Sequence, residues 1–132
     1  MSFIYPACKD LLLTGQLDLL TDPVLGVLVT GNYVASHHHA SLADIPLATR
    51  VAFSGTLANR SVASGVFNAN PAVVLAVQGD VVKAVVLVNF SGTDISSPLV
   101  AYLDQSPDLP INPTGGNLIL NWDTGSAKIF AI

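Results

Sequence analysis

Between Val81 and Phe90 the only polar side chains are Lys83 and Asn89; every other position is apolar. That pattern predicts a central β-strand covered on both faces. It constrains the whole chain, which must then supply sheet neighbours on either side and packing layers above and below. The rest of the C-terminal part has that character. Pro98–Asp104 alternates, with Leu99, Ala101 and Leu103 on one face and Val100, Tyr102 and Asp104 on the other. Gly116–Asp123 follows, with Leu118, Leu120 and Trp122 on one face and Ile119, Asn121 and Asp123 opposite, and Lys128–Ile132 forms a short closing run. The spacer Gln105–Gly116, with three prolines and two glycines, reads as loop, and Asp123-Thr124-Gly125 as a turn.

Upstream, Pro6–Leu13 predicts a short helix, with Pro6 in its first turn, Gly15 just past its end and Leu11-Leu12-Leu13 facing the core. Asp22-Pro23 breaks the chain before a strand over Val24–Thr30, with Gly26 expected as a bulge. Asn32–Ala40 is a polar loop carrying His37, His38 and His39, and Ser41–Ile45 is a single helical turn stopped by Pro46. Arg50–Thr56 and Arg60–Asn68 read as half-buried strands, and Asn68-Ala69-Asn70-Pro71 as a turn. Gln78-Gly79-Asp80 is expected to join Val73–Val77 and Val81–Phe90 as a tight hairpin. Seven or eight short strands in 132 residues point to one all-β domain, a β-sandwich or jelly-roll with a short N-terminal helix or arm.

Composition supports that class. All nine acidic residues are aspartate, which favours turns and caps, and valine occurs sixteen times. Charged residues make up 11% of the chain, against about 25% in an ordinary domain. A surface with so few ions packs against neighbours at little desolvation cost, which favours an assembly component. Lys9, Arg50, Arg60, Lys83 and Lys128 are scattered and the net charge is −4, so direct nucleic-acid binding is not expected. No apolar run reaches the roughly 18–20 residues of a membrane helix, and residues 1–6 do not read as a signal peptide. A soluble, cytoplasmically made protein is expected, and Asn59-Arg60-Ser61 and Asn89-Phe90-Ser91 then match the glycosylation pattern by chance. Cys8 stands alone, so no internal disulfide forms; a small buried residue is the simpler reading.

Candidate chemistry is sparse. Consecutive histidines grip metals, but no Cys-x-x-Cys, His-Glu-x-x-His or carboxylate-rich loop accompanies His37-His38-His39, so a solvated or interface-facing loop is expected. Asp104, Asp108 and Asp123 sit at strand ends and turns, where aspartate is common, and do not form a predicted glycosidase pair. No Gly-x-Ser-x-Gly elbow or phosphate loop is present, so no enzyme and no cofactor is expected. Tyr102 and Trp122 are candidates for a sugar platform if exposed and for packing if buried. Phe3-Ile4-Tyr5 is costly to leave in water and is expected either to tuck under the domain or to contact a neighbouring subunit. If the segment is a contact within an assembly, deleting Met1–Tyr5 is expected to weaken lattice binding and to leave the isolated fold intact.

Several segments taken in order carry a resemblance: Asp10-Leu11-Leu12 with Gly15, the loop from Tyr33 through the histidines to Leu42-Ala43-Asp44-Ile45, Ser97-Pro98-Leu99-Val100-Ala101-Tyr102-Leu103-Asp104, and Asn121-Trp122-Asp123. Together the chain resembles the small virion structural proteins of tailed bacteriophages that decorate or cement the head. The resemblance implies a β-sandwich or jelly-roll that binds the capsid exterior, bridges capsomers of the major capsid protein, and self-associates as a dimer or trimer. It implies no catalytic residues, no cofactor, no membrane and no nucleic acid. Phe3, Ile4, Tyr5, His37, His38 and His39 are the candidate subunit contacts. A low-copy head-fibre or tail component is one rival; a glycan- or host-binding module is the other.

Overall fold

A computed structural model of the chain describes residues 2–104, 108–122 and 128–131. Its strands are β1 (Phe3–Ile4), β2 (Val24–Thr30), β3 (Arg50–Phe53), β4 (Ser61–Ala63), β5 (Val66–Asn68), β6 (Ala72–Val74), β7 (Val82–Asn89), β8 (Leu99–Leu103), β9 (Leu118–Leu120) and β10 (Phe130–Ala131). One helix, α1 (Pro6–Leu13), follows β1, and two single 3-10 turns, Leu42–Asp44 and Leu47–Thr49, precede β3. The chain is all-β in class. A five-stranded sheet has the order β1-β8-β7-β2-β3, beside a three-stranded sheet β10-β5-β4 and a two-stranded sheet β6-β9. Every strand pair is antiparallel. All three sheets contribute to one hydrophobic core.

The valine run behaves as its composition dictates. β7 lies between β8 and β2, with only Lys83 exposed and Asn89 half-buried. β2 is buried at all seven positions, because sheet neighbours flank it and other layers cover it. One rung crosses the entire large sheet, Phe3–Tyr102–Val86–Val27–Phe53, with aromatic residues at both outer strands. Gly26 is not a bulge. It pairs in register with Leu87, while the register shifts fall at Leu28/Val29 and Val29/Thr30. A Cβ on Gly26 would meet Val85 Cγ1 at 3.1 Å and Ser54 Oγ at 3.5 Å. Glycine is there because Val85 crowds the position, and the bare backbone bonds to Ser54: Gly26 N–H donates to Ser54 Oγ and Ser54 N–H donates to Gly26 O, each at 2.8 Å.

Other expectations change. Residues 60–68 are two strands instead of one, because Ser64 (φ 52°) and Gly65 (φ 76°) both adopt the left-handed conformation and reverse the chain as a two-residue hairpin turn. The expected β6–β7 hairpin does not form; β6 pairs with β9. Val77 N–H bonds to Gly116 O, Gly115 N–H to Val77 O, and Val82 exchanges bonds with Ile111. The backbone groups a hairpin would use are thus taken by residues 111–116, and Ala76 (φ 50°) and Gly79 (φ 122°) deflect the chain accordingly. β3 ends at Phe53, where Ser54 turns to Gly26. In α1 the buried residue is Cys8; Leu11 and Leu12 are half-buried, and Leu13 is 86% exposed. A helix packed on β8 cannot turn three successive residues toward one core.

Two arginines tie loops to this frame. Arg50 donates from Nε and Nη2 to Ile45 O, from Nη2 to Leu42 O and from Nη1 to Asp94 Oδ2. Arg60 bonds to Leu19 O and Asp22 O, holding the approach to β2.

Candidate functional site

The residues singled out from the sequence as contacts converge on one edge of the large sheet. β1 is the outermost strand there, pairing Phe3 with Tyr102 and Ile4 with Ala101. Of the two placements open to Phe3-Ile4-Tyr5, the structure shows tucking: Ile4 and Tyr5 are buried and Phe3 is half-buried. Tyr5 N–H donates to Val100 O at 3.1 Å, and Ser2 Oγ bridges the backbone N–H and carboxylate of Asp104. The first residues are therefore part of the sheet and not a free arm.

The histidine loop leaves β2 beside this edge. Asn32 N–H bonds to Thr30 Oγ1, and Tyr33 N–H to Thr30 O, which turns the Tyr33 ring back over the domain. His39 N–H donates to Ser36 O, and Leu99 N–H donates to Ala40 O, so the far end of the loop is fastened to β8. Asp44 Oδ2 accepts the N–H groups of Ala40 and Ser41 at 2.8 and 3.1 Å. Those two donors hold the Asp44 carboxyl below its ordinary range.

The three histidines take different environments. His37 stacks on Phe3, ring centroids 4.2 Å apart. His38 is exposed, and its backbone N–H bonds to Ser36 Oγ. His39 is half-buried, stacks on Tyr33, and its Nδ1 lies 2.9 Å from Tyr33 Oη. Tyr33 Oη in turn lies 2.8 Å from Tyr5 Oη. Phe3 also contacts Tyr5 edge-on and Tyr102 at a tilt, and Tyr102 lies against Tyr33. The result is a mixed aromatic and imidazole cluster along one sheet edge. Among the described residues no three His, Cys, Asp or Glu side chains come together as a metal site.

The remaining candidates are dispersed. Trp122 is buried, and its Nε1–H donates to Asn70 O at 2.9 Å; Tyr102 is half-buried beneath Phe3 and Tyr33. The pair forms no exposed platform. Asp108 Oδ2 accepts the Asn121 N–H, and Asp104 holds Ser2, so each has a structural contact. Asp123 lies outside the described residues. Burial pushes the Cys8 thiol up to about 12, far from a reactive thiolate.

Tyr33 and Asp44 belong to this cluster but were read from sequence only as parts of a loop and a turn. Their partners lie on other elements, Tyr5 being 28 residues from Tyr33, and no local spacing signals that pairing. Outside the edge, large apolar side chains stand in water. Val73 and Ile119, register partners on β6 and β9, are 50% and 60% exposed, and Leu75 beside them is exposed as well. Among the described residues no helix is long and apolar enough to cross a membrane. No protein-family model matches this chain, and no curated protein matches it.

Proposed function

We propose that this chain is a non-catalytic virion structural protein of a tailed bacteriophage that binds the capsid exterior and stabilises it by bridging capsomers of the major capsid protein. The supporting observation is the surface. It is poor in charge and carries bare apolar side chains on an ordered sheet face, Val73 and Ile119 on β6-β9, with Leu75 adjacent. Burying such side chains against a protein surface is favourable by roughly 25 cal/mol per Å², and few ions need desolvating in the process. A modest contact of this kind, repeated over an icosahedral lattice and linked by self-association as a dimer or trimer, accumulates through avidity. Packing of Tyr102 and burial of Trp122 leave the glycan-binding alternative without its aromatic platform.

Co-sedimentation of the purified chain with mature capsids of the source phage tests this reading. Saturable binding, with capsids surviving heating that ruptures undecorated shells, is the expected outcome. A chain that stays in the supernatant at all capsid concentrations would sink it. Val73→Ser with Ile119→Ser is expected to keep the fold and weaken binding.

A further inference from the structure

A line of three hydrogen-bonded side chains runs outward from the buried N-terminal edge: Tyr5, Tyr33 and His39. Tyr5 has no exposed surface, and among the described residues its hydroxyl has only Tyr33 Oη as partner. Leaving a buried O–H without an acceptor costs about 1–3 kcal/mol. Tyr5 therefore donates to Tyr33, and Tyr33, itself almost fully buried, passes its own proton toward Nδ1 of His39. Burial, and then the bond to Tyr33, push the Tyr5 phenol up; burial also pushes Tyr33 up, while the bond from Tyr5 acts in the opposite direction. His39 in this arrangement is neutral, with its proton on Nε2 and Nδ1 accepting.

Protonation removes that acceptor. Nδ1 becomes a donor, so Tyr33 meets a donor on each side and one phenolic proton in the line is left without an acceptor. The groups facing His39 are Tyr33, with Tyr5 and Tyr102 behind it; Asp44, from the 3-10 turn; and His37 and His38 in its own loop. Asp104 acts on Tyr102. Among the groups next to His39, Asp44 is the anion, and the two attract one another. An imidazolium is thus pushed from Tyr33 and drawn to Asp44.

We propose that loop 31–40 is a pH-operated latch: neutral His39 closes it on Tyr33, and protonated His39 leaves Tyr33 for Asp44. The loop then loosens from the sheet edge, and His37 loses its seat on Phe3. This device does not depend on what the chain binds. Side-chain nitrogen NMR of the histidines in the full chain, from pH 8 to 5, tests it. The expected result is an Nε2–H tautomer for neutral His39. The ring signals of Tyr5 and Tyr33 and the His37–Phe3 proximity signal should then change together with His39 protonation. In Tyr33→Phe the Tyr5 signals no longer follow His39, whereas His38→Gln leaves the coupling intact. An Nδ1–H neutral tautomer, or tyrosine signals that stay flat while His39 titrates, would overturn the proposal.

Discussion

Gly26 shows how one missing side chain can set the geometry of a sheet. Its two backbone bonds to Ser54 draw the segment after β3 over β2, and Val85 packs against the space a methyl group would need. Gly26→Ala forces Val85 to give by a few tenths of an ångström in a core where β2 is wholly buried. A destabilisation of about 1–3 kcal/mol is expected, measured as a shifted urea midpoint with an unchanged slope. Cys8 makes a complementary prediction. Its raised pKa and complete burial mean that thiol reagents should label it only as the protein opens. Labelling at the rate of a free thiol in native buffer would contradict that packing. From sequence, the burial of Cys8 was legible in its type alone, but Gly26 was not. A glycine in a strand signals a bulge or a close approach equally well, and Val85, which decides between them, lies on β7, far along the chain.

Among elements, those specified by local periodicity emerged with their predicted bounds. Val24–Thr30 and Pro6–Leu13 are examples, since burial pattern and a proline at the helix start act within the segment itself. Elements that depend on distant partners did not. The hairpin expected at Gln78-Gly79-Asp80 lost its backbone bonds to residues 111–116, and the turn at Ser64-Gly65 was hidden inside a weakly alternating stretch. β1 is the most consequential case. Deleting Met1–Tyr5 now predicts loss of an edge strand and of the fully buried Tyr5 side chain, at a cost of about 3 kcal/mol or more. A fall in thermal midpoint, followed by circular dichroism, checks this; an unchanged midpoint would show that β1 is dispensable. The loop behind it has its own pH signature. The Asp44 carboxyl is held below its ordinary 3.8 first by the Ala40 N–H and then by the Ser41 N–H. A depressed folded value means the stabilisation is complete above the unfolded value and is lost as pH falls through the folded one. Protection of the Ala40 and Ser41 amides, relative to their intrinsic exchange rates, should therefore fall below about pH 4, and Asp44→Asn should blunt that dependence.

At the scale of the molecule, the all-β class followed from valine abundance, the absence of glutamate and short apolar runs separated by turn signals. These are bulk properties that survive any error in register. The division into sheets of five, three and two strands did not follow, because β8 also pairs with β1, and β9 and β10 join partners far back in the chain. The candidate contacts were legible as residue types, since a terminal Phe-Ile-Tyr and a histidine tract are conspicuous. Their meeting on one edge was not, since it depends on β1 pairing with β8. A domain with 11% charged residues and bare apolar positions on β6-β9 is suited to lattice contact, the core of the proposed capsid role. Mass spectrometry of purified virions from the source of this sequence, scaled to the major capsid protein, tests that role most directly. Hundreds of copies per particle, released by mild denaturation before the shell opens, are predicted. Complete absence from the virion would contradict the account, and a handful of copies would contradict the cement role by moving the chain to a tail or vertex.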